Sequence, residues 1–143
     1  MTTIRQILAR KPDVYSIAPD ATVLEALRLL EEKNVGALLV MKGPSLVGIF
    51  SERDYARRMV LHGRSSKETA VHEVMTREVF TISPEATAGE CMVHMTDRHI
   101  RHLPVLEGGR VIGVISIGDV VRTVIEDMRF TIRQLESYIR SGG

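Results

Sequence analysis

The chain has 143 residues, with 19 Lys and Arg against 18 Asp and Glu, for a formal net charge of +1. Its 44% hydrophobic and 26% charged residues describe a globular chain, and the near-neutral balance excludes a general binder of nucleic-acid phosphates, which needs a basic excess. Aromatic residues are only 4%, with no Trp, so stacking platforms for single strands are hard to supply and the core must come from Val, Ile, Leu, Met and Ala.

The N-terminal segment, Thr2-Thr-Ile-Arg-Gln-Ile-Leu8, has no apolar leader, and no later stretch nears the ~18 apolar residues of a membrane span. Cys91 is the single cysteine, so no internal disulfide can form. These features lead us to expect a cytoplasmic protein with no membrane partner.

Val14 to Ile17 reads as a short strand ended by Ala-Pro-Asp-Ala-Thr22, where Thr22 caps a helix and Glu25 sits at capping-box spacing. Val23, Leu24, Leu27 and Leu30 then form a helical stripe. Two apolar runs, Ala37 to Met41 and Leu46 to Phe50, flank Lys42-Gly-Pro-Ser45 and indicate a hairpin. A second helix begins near Ser51, and Gly63-Arg-Ser-Ser66 is a linker. The pattern then returns: strand Val79 to Ile82, Thr87 and Glu90 at a helix start, runs Leu103 to Leu106 and Val111 to Ile115 around Glu107-Gly-Gly-Arg110, and a helix from Ser116.

Residues 14 to 60 align without a gap on 79 to 125 at an offset of 65, and 13 of these 47 pairs are identical, which identifies an internal duplication. Upstream, Thr2 to Leu8 echoes Thr69 to Met75 at an offset of 67. The expected architecture is therefore α/β (α+β): two β-α-β-β-α repeats packed about a pseudo-twofold axis, because neither half buries enough surface alone. We divide the chain into a first repeat at 1–62 with its N-terminal segment, a linker at 63–68, a second repeat at 69–126 and a helical extension at 127–143. From Val121, the apolar residues Ile125, Met128, Ile132, Leu135 and Ile139 follow a heptad seam. That seam either lies back on its own domain or pairs with a second copy.

Each copy carries Gly, two apolar residues, Ser, two variable residues and Asp: Gly48 to Asp54 and Gly113 to Asp119. A Ser hydroxyl and free N–H groups at a helix start suit a phosphate, and an Asp one turn later suits the paired hydroxyls of a ribose. Gly lets the backbone pass close to a ligand, and Arg53 adds a cation that Gly118 does not. Ser and Asp at this spacing also suit simple helix capping, but recurrence at one spacing with the same preceding residues favours a site.

This tandem pattern resembles a pair of CBS (cystathionine-β-synthase) domains, a Bateman module of the stand-alone bacterial type. The resemblance rests on the two Gly-x-x-Ser-x-x-Asp segments, the Pro-x-Ala-Thr helix starts, His-Leu-Pro-Val at 102–105 and Val-Met-Thr at 74–76. It implies a regulatory module, not an enzyme, that binds AMP, ADP, ATP or NAD in clefts between the repeats. Ser51 and Asp54, and Ser116 and Asp119, would hold phosphate and ribose. Thr69, Val71 and Val74, with Ile4 and Ile7 for the other site, would supply the adenine pocket. Arg101 and His102 would reach phosphate, and Gly36 and Ala37 replace them in the first copy, so the two sites should differ.

No cofactor or metal is expected; the heptad seam points to a homodimer, and a regulatory module implies an effector protein that senses it. His94, His99 and His102 lack a completing Cys or carboxylate cluster for zinc, and Ser116 lacks the first Gly of a nucleophile elbow. Cys91 reads as a small core residue. A structural dimerisation module with degenerate sites is the alternative, and a nucleotide-processing enzyme a further one that lacks an evident general base.

Overall fold

The computed structural model describes residues 1–11 and 14–142. In chain order it contains α1 (Ile4–Leu8), β1 (Ser16–Ile17), α2 (Val23–Lys33), β2 (Ala37–Lys42), β3 (Ser45–Ser51), α3 (Glu52–Tyr55), α4 (Ala88–Arg98), β4 (His102–Glu107), β5 (Arg110–Ser116) and α5 (Ile117–Arg140). A π-helical turn (Ala56–Val60) follows α3, and a 3-10 turn (Val71–Glu73) stands in the second lead-in segment. The chain forms two compact units. The Asp54 unit contains Asp13–Phe80 and Gly108–Val111, and the Asp119 unit contains Met1–Pro12, Thr81–Glu107 and Ile112–Gly143.

In the Asp54 unit the strand order is β1-β2-β3, with β1 parallel and β3 antiparallel to β2. Helix α2 starts as its sequence requires: the Thr22 hydroxyl accepts from the Glu25 N–H and Glu25 reaches back to the Thr22 N–H. Its apolar stripe buries Val23, Ala26 and Leu30 with Leu38, Val40, Phe50, Met59, Val71 and Val74. Phe50 is fully buried.

The Asp119 unit repeats this plan. Thr87 and Glu90 form the same box at the start of α4, and β4 and β5 are joined through Gly108 and Gly109. Both glycines have positive φ, 59° and 79°, the backbone a tight two-residue turn demands. The core is Ile4, Ile7, Ile82, Ala88, Cys91, Met95, Leu103, Val105, Ile115 and Val120. Cys91 is fully buried there, and burial pushes its thiol up to about 11. The strand read at 79–82 shrinks to one parallel bridge, Ile82 with Val105.

The lead-in segments are distributed differently from the sequence division at residue 62. Residues 69–76 dock on the first repeat, where the Val71 N–H donates to Ala21 O at 2.8 Å and the Val23 N–H to Thr69 O at 2.9 Å. Residues 2–8 dock on the second repeat by the same bonds: Ile4 N–H to Ala86 O at 2.8 Å and Ala88 N–H to Thr2 O at 2.9 Å. Each lead-in thus completes the other copy of the repeat.

The last helix also distinguishes the copies. After Ser51 four α-helical residues give way to the π turn, whereas α5 runs for 24 residues. Val120 and Val124 join the core, but Ile125, Met128, Ile132, Leu135 and Ile139 are 43% to 73% exposed. Within one chain the heptad seam does not lie back on its domain.

Candidate functional site

Both Gly-x-x-Ser-x-x-Asp segments turn from a strand into a helix. In the Asp54 unit, Asp54 Oδ2 accepts from the Ser51 N–H at 2.9 Å and from its hydroxyl at 3.1 Å, while the Asp54 N–H donates to Ser51 Oγ at 3.2 Å. Ser116 and Asp119 repeat this at 3.0, 2.9 and 3.2 Å. The first helical N–H of each is also taken: Glu52 donates to Gly36 O at 3.1 Å and Ile117 to Arg101 O at 2.8 Å.

This differs from the free anion-binding amides expected at these helix starts. In both units three motif N–H groups are already satisfied, which leaves side-chain cations a larger share of any phosphate binding. What each motif presents is a carboxylate held in place at the end of a strand, beside the opening of the hairpin.

The motif glycines have a different reason from the one expected. A Cβ on Gly113 would meet Leu8 Cδ2 at 2.5 Å, and one on Gly48 would overlap the Met75 sulphur. Leu8 and Met75 are equivalent residues of the two lead-ins. The glycines therefore admit protein side chains, and close packing of a lead-in on the strand follows from them.

Thr69, Val71, Val74, Ile4 and Ile7 are all buried, at 7% exposure or less. Thr69 donates its hydroxyl to Ser65 O at 2.7 Å. Ile4, Ile7, Val71 and Val74 join the cores, and Ile7 also lines the pocket beside Asp119. Gly36 and Ala37 are half-buried at the start of β2, and Arg53 is exposed on α3. Arg101 is exposed and His102 half-buried at the start of β4. Burial pulls the His102 pKa down, Lys11 and Arg101 add to this, and Asp119 opposes it. His102 therefore shares the electrostatic environment of Asp119.

Two residues missed in the sequence give the carboxylates their different characters. In the Asp54 unit, the Thr76 hydroxyl donates to Asp54 Oδ1 at 3.1 Å, and its backbone pairs with Ile49 in both directions at 2.9 and 3.0 Å. The residue matching Thr76 at the lead-in offset is Ala9, which has no hydroxyl. Lys11 supplies both contacts instead: its ammonium donates to Asp119 Oδ2 at 2.6 Å and to Val114 O, the partner of Ile49 in the repeat, at 2.7 Å. Arg122 donates to Asp119 Oδ1 at 2.9 Å. Burial alone would raise the Asp119 pKa, but hydrogen bonds from Lys11 and Ser116 hold it below the usual carboxylate value. The only available signal was the change of Val-Met-Thr to Ile-Leu-Ala-Arg-Lys.

Around this carboxylate lies a pocket of about 200 Å³ whose lining includes Arg10, Lys11, Asp119, Arg122 and Glu126. Among the described residues, no three His, Cys, Asp or Glu side chains come together as a metal centre would require.

A duplicated β-α-β-β-α unit with a capped carboxylate at each strand-to-helix junction defines the tandem CBS class. The CBS-domain family model matches residues 4–61 and 71–126. The chain belongs to the CBS-domain family and has the α+β fold of a CBS-domain pair with a C-terminal helix. It is 49% identical to a putative signal-transduction protein with CBS domains from Burkholderia ambifaria, covering 88% of this chain and 96% of that one with a TM-score of 0.85. It is 44% identical over 128 residues to the mitochondrial CBS domain-containing protein CBSX3 of Arabidopsis thaliana, covering 86% of this chain and spanning 62% of that protein. At 24% identity and a TM-score of 0.76, covering 89% of this chain and 98% of the other, it shares the fold of a CBS-domain pair solved with 5′-methylthioadenosine and S-adenosyl-L-methionine. Tandem CBS domains are a regulatory kind of module, and among the described residues no helix is long and apolar enough to cross a membrane.

Proposed function

We propose that the chain is a cytoplasmic regulatory module that binds an adenosine nucleotide, AMP, ADP, ATP or NAD, at its Ser-x-x-Asp motifs and passes occupancy to an effector through a change in packing. The observation that carries this reading is the duplicated carboxylate. Asp54 and Asp119 stand at the same point of each repeat, oriented by the same three bonds exchanged with Ser. Their acceptor oxygens suit the hydroxyl pair of a ribose. The adenosine ligands of the CBS pair described above support the same chemistry.

Binding without turnover is favoured because neither Asp is poised as a base. Each already accepts at least three hydrogen bonds, and Asp119 is held ionised by Lys11. The exposed seam of α5 supports a homodimer, which would give occupancy a second surface to act on.

Titration calorimetry with AMP, ADP, ATP, NAD and S-adenosyl-L-methionine tests the reading, with Asp54→Ala and Asp119→Ala as controls. We expect binding without product formation, with each substitution abolishing one class of site. Binding indifferent to both substitutions rejects the assignment, and product formation replaces it with an enzyme.

A further inference from the structure

Asp119 and Asp54 occupy equivalent positions but are held by different chemistry. The partner of Asp54 from the lead-in is a neutral hydroxyl, Thr76. That of Asp119 is a cation, Lys11, whose side chain is 29% exposed, with the Asp119 side chain at 12%. A ribose that takes the Asp54 carboxylate displaces one neutral hydrogen bond. Taking the Asp119 carboxylate displaces a charge-assisted one and leaves a partly buried ammonium without its anion, a much larger loss.

The surroundings show what would compensate that ammonium. Arg10 comes from the lead-in, where it approaches Glu126 at 3.9 Å, and Arg122 comes from α5. With Lys11 these are three cations around two carboxylates, an excess of one positive charge, and a ribose on Asp119 would part Lys11 from its anion without adding any negative charge. The motif amides of Ser116, Ile117 and Asp119 are already bonded within the chain, so the cations are the main groups left to meet an anion. The pocket of about 200 Å³ that these groups line is open to solvent, so a ligand can reach the cations and Asp119 together.

We propose that Lys11 is a charge gate: it occupies the Asp119 carboxylate until a ligand brings both a ribose for the carboxylate and a phosphate for the ammonium. The Asp119 site then selects phosphorylated over unphosphorylated nucleosides by a device that the Asp54 site, with Thr76 in the place of Lys11, does not have. This rests on the reading of Asp119 as the ribose-binding group.

The test measures AMP and adenosine by calorimetry on the full chain. An Asp54→Ala background reports the Asp119 site and an Asp119→Ala background the Asp54 site. We expect AMP to exceed adenosine by about tenfold or more at the Asp119 site, on the strength of a charge-assisted bond. Lys11→Gln should bring the two within about threefold by weakening AMP and strengthening adenosine, and Lys11→Arg should restore the preference. In the Asp119→Ala background, Lys11→Gln should change nothing. A preference that survives Lys11→Gln in a chain with an unchanged melting transition overturns the gate while leaving the ribose site standing. AMP binding that ignores Asp119→Ala, or no AMP binding at all, rejects the ribose reading and the gate with it.

Discussion

The Asp54 and Asp119 units are built on one plan, and beyond the length of the last helix they differ most where the carboxylate finds its further partners. Helix caps, lead-in bonds and Ser–Asp boxes recur nearly bond for bond. The third partner of the Asp does not: Thr76 in one unit, Lys11 and Arg122 in the other. A duplicated scaffold therefore keeps its folding contacts and varies the charge around a conserved geometry.

The comparison can be broken most forcefully in the cores. Phe50 has Ile115 as its repeat partner, both fully buried. Phe50→Ala should destabilise its unit by about 3–5 kcal/mol and Ile115→Ala the other by about 2–5 kcal/mol, read from denaturant midpoints. A loss below about 1 kcal/mol at either position would show that the cores do not carry equal weight.

Gly48→Val and Gly113→Val should follow, at about 1–3 kcal/mol each, because the new side chains would drive Met75 or Leu8 out of contact. Equal effects would sharpen the equivalence of the lead-ins, and a tolerated Gly113→Val would break it. Thr76→Val should remove about 1 kcal/mol. It should leave ligand charge preference intact, since it deletes no charge.

The smallest effect expected is in the pH dependence that His102 gives the Asp119 unit. The His102 pKa in the fold lies below its ordinary value near 6.5, so as pH falls the unfolded chain binds the proton first. Stability is full above that value and declines as pH drops through it. Melting temperatures at pH 7.5 and 5.5 should therefore diverge less in His102→Gln than in the parent, and an unchanged divergence would show that His102 does not sense this field.

Local sequence signals made much of this legible. Thr-x-x-Glu spacing located both first helices, Gly between apolar runs located both hairpins, and the 65-residue offset located the paired motifs. The motif carboxylates were legible for the same reason. The lead-in exchange was not, because its bonds join residues far apart in the chain, such as Thr2 and Ala88, and no local pattern records such a pairing. Lys11 was missed for a related reason: it replaces Thr76 in function while standing two places later than the residue that aligns with it. Val71, Val74 and Ile4 lie buried in the cores, and in a sequence apolar residues near a motif look the same whether they face a base or a core.

The docking of the N-terminal segment bears on how the chain comes to fold during synthesis. Thr2 donates its N–H and hydroxyl to Asp127 at 3.1 and 2.6 Å, across 125 positions of sequence. The Asp54 unit draws nearly all its residues from one continuous stretch, whereas the Asp119 unit needs the segment around residues 2–8 and another made more than a hundred residues after it. High contact order of this kind slows closure. On a ribosome, where the N-terminal part folds first, α1 must wait with Ile4 and Ile7 uncovered until the second repeat emerges, and that interval is when the chain most needs protection from aggregation.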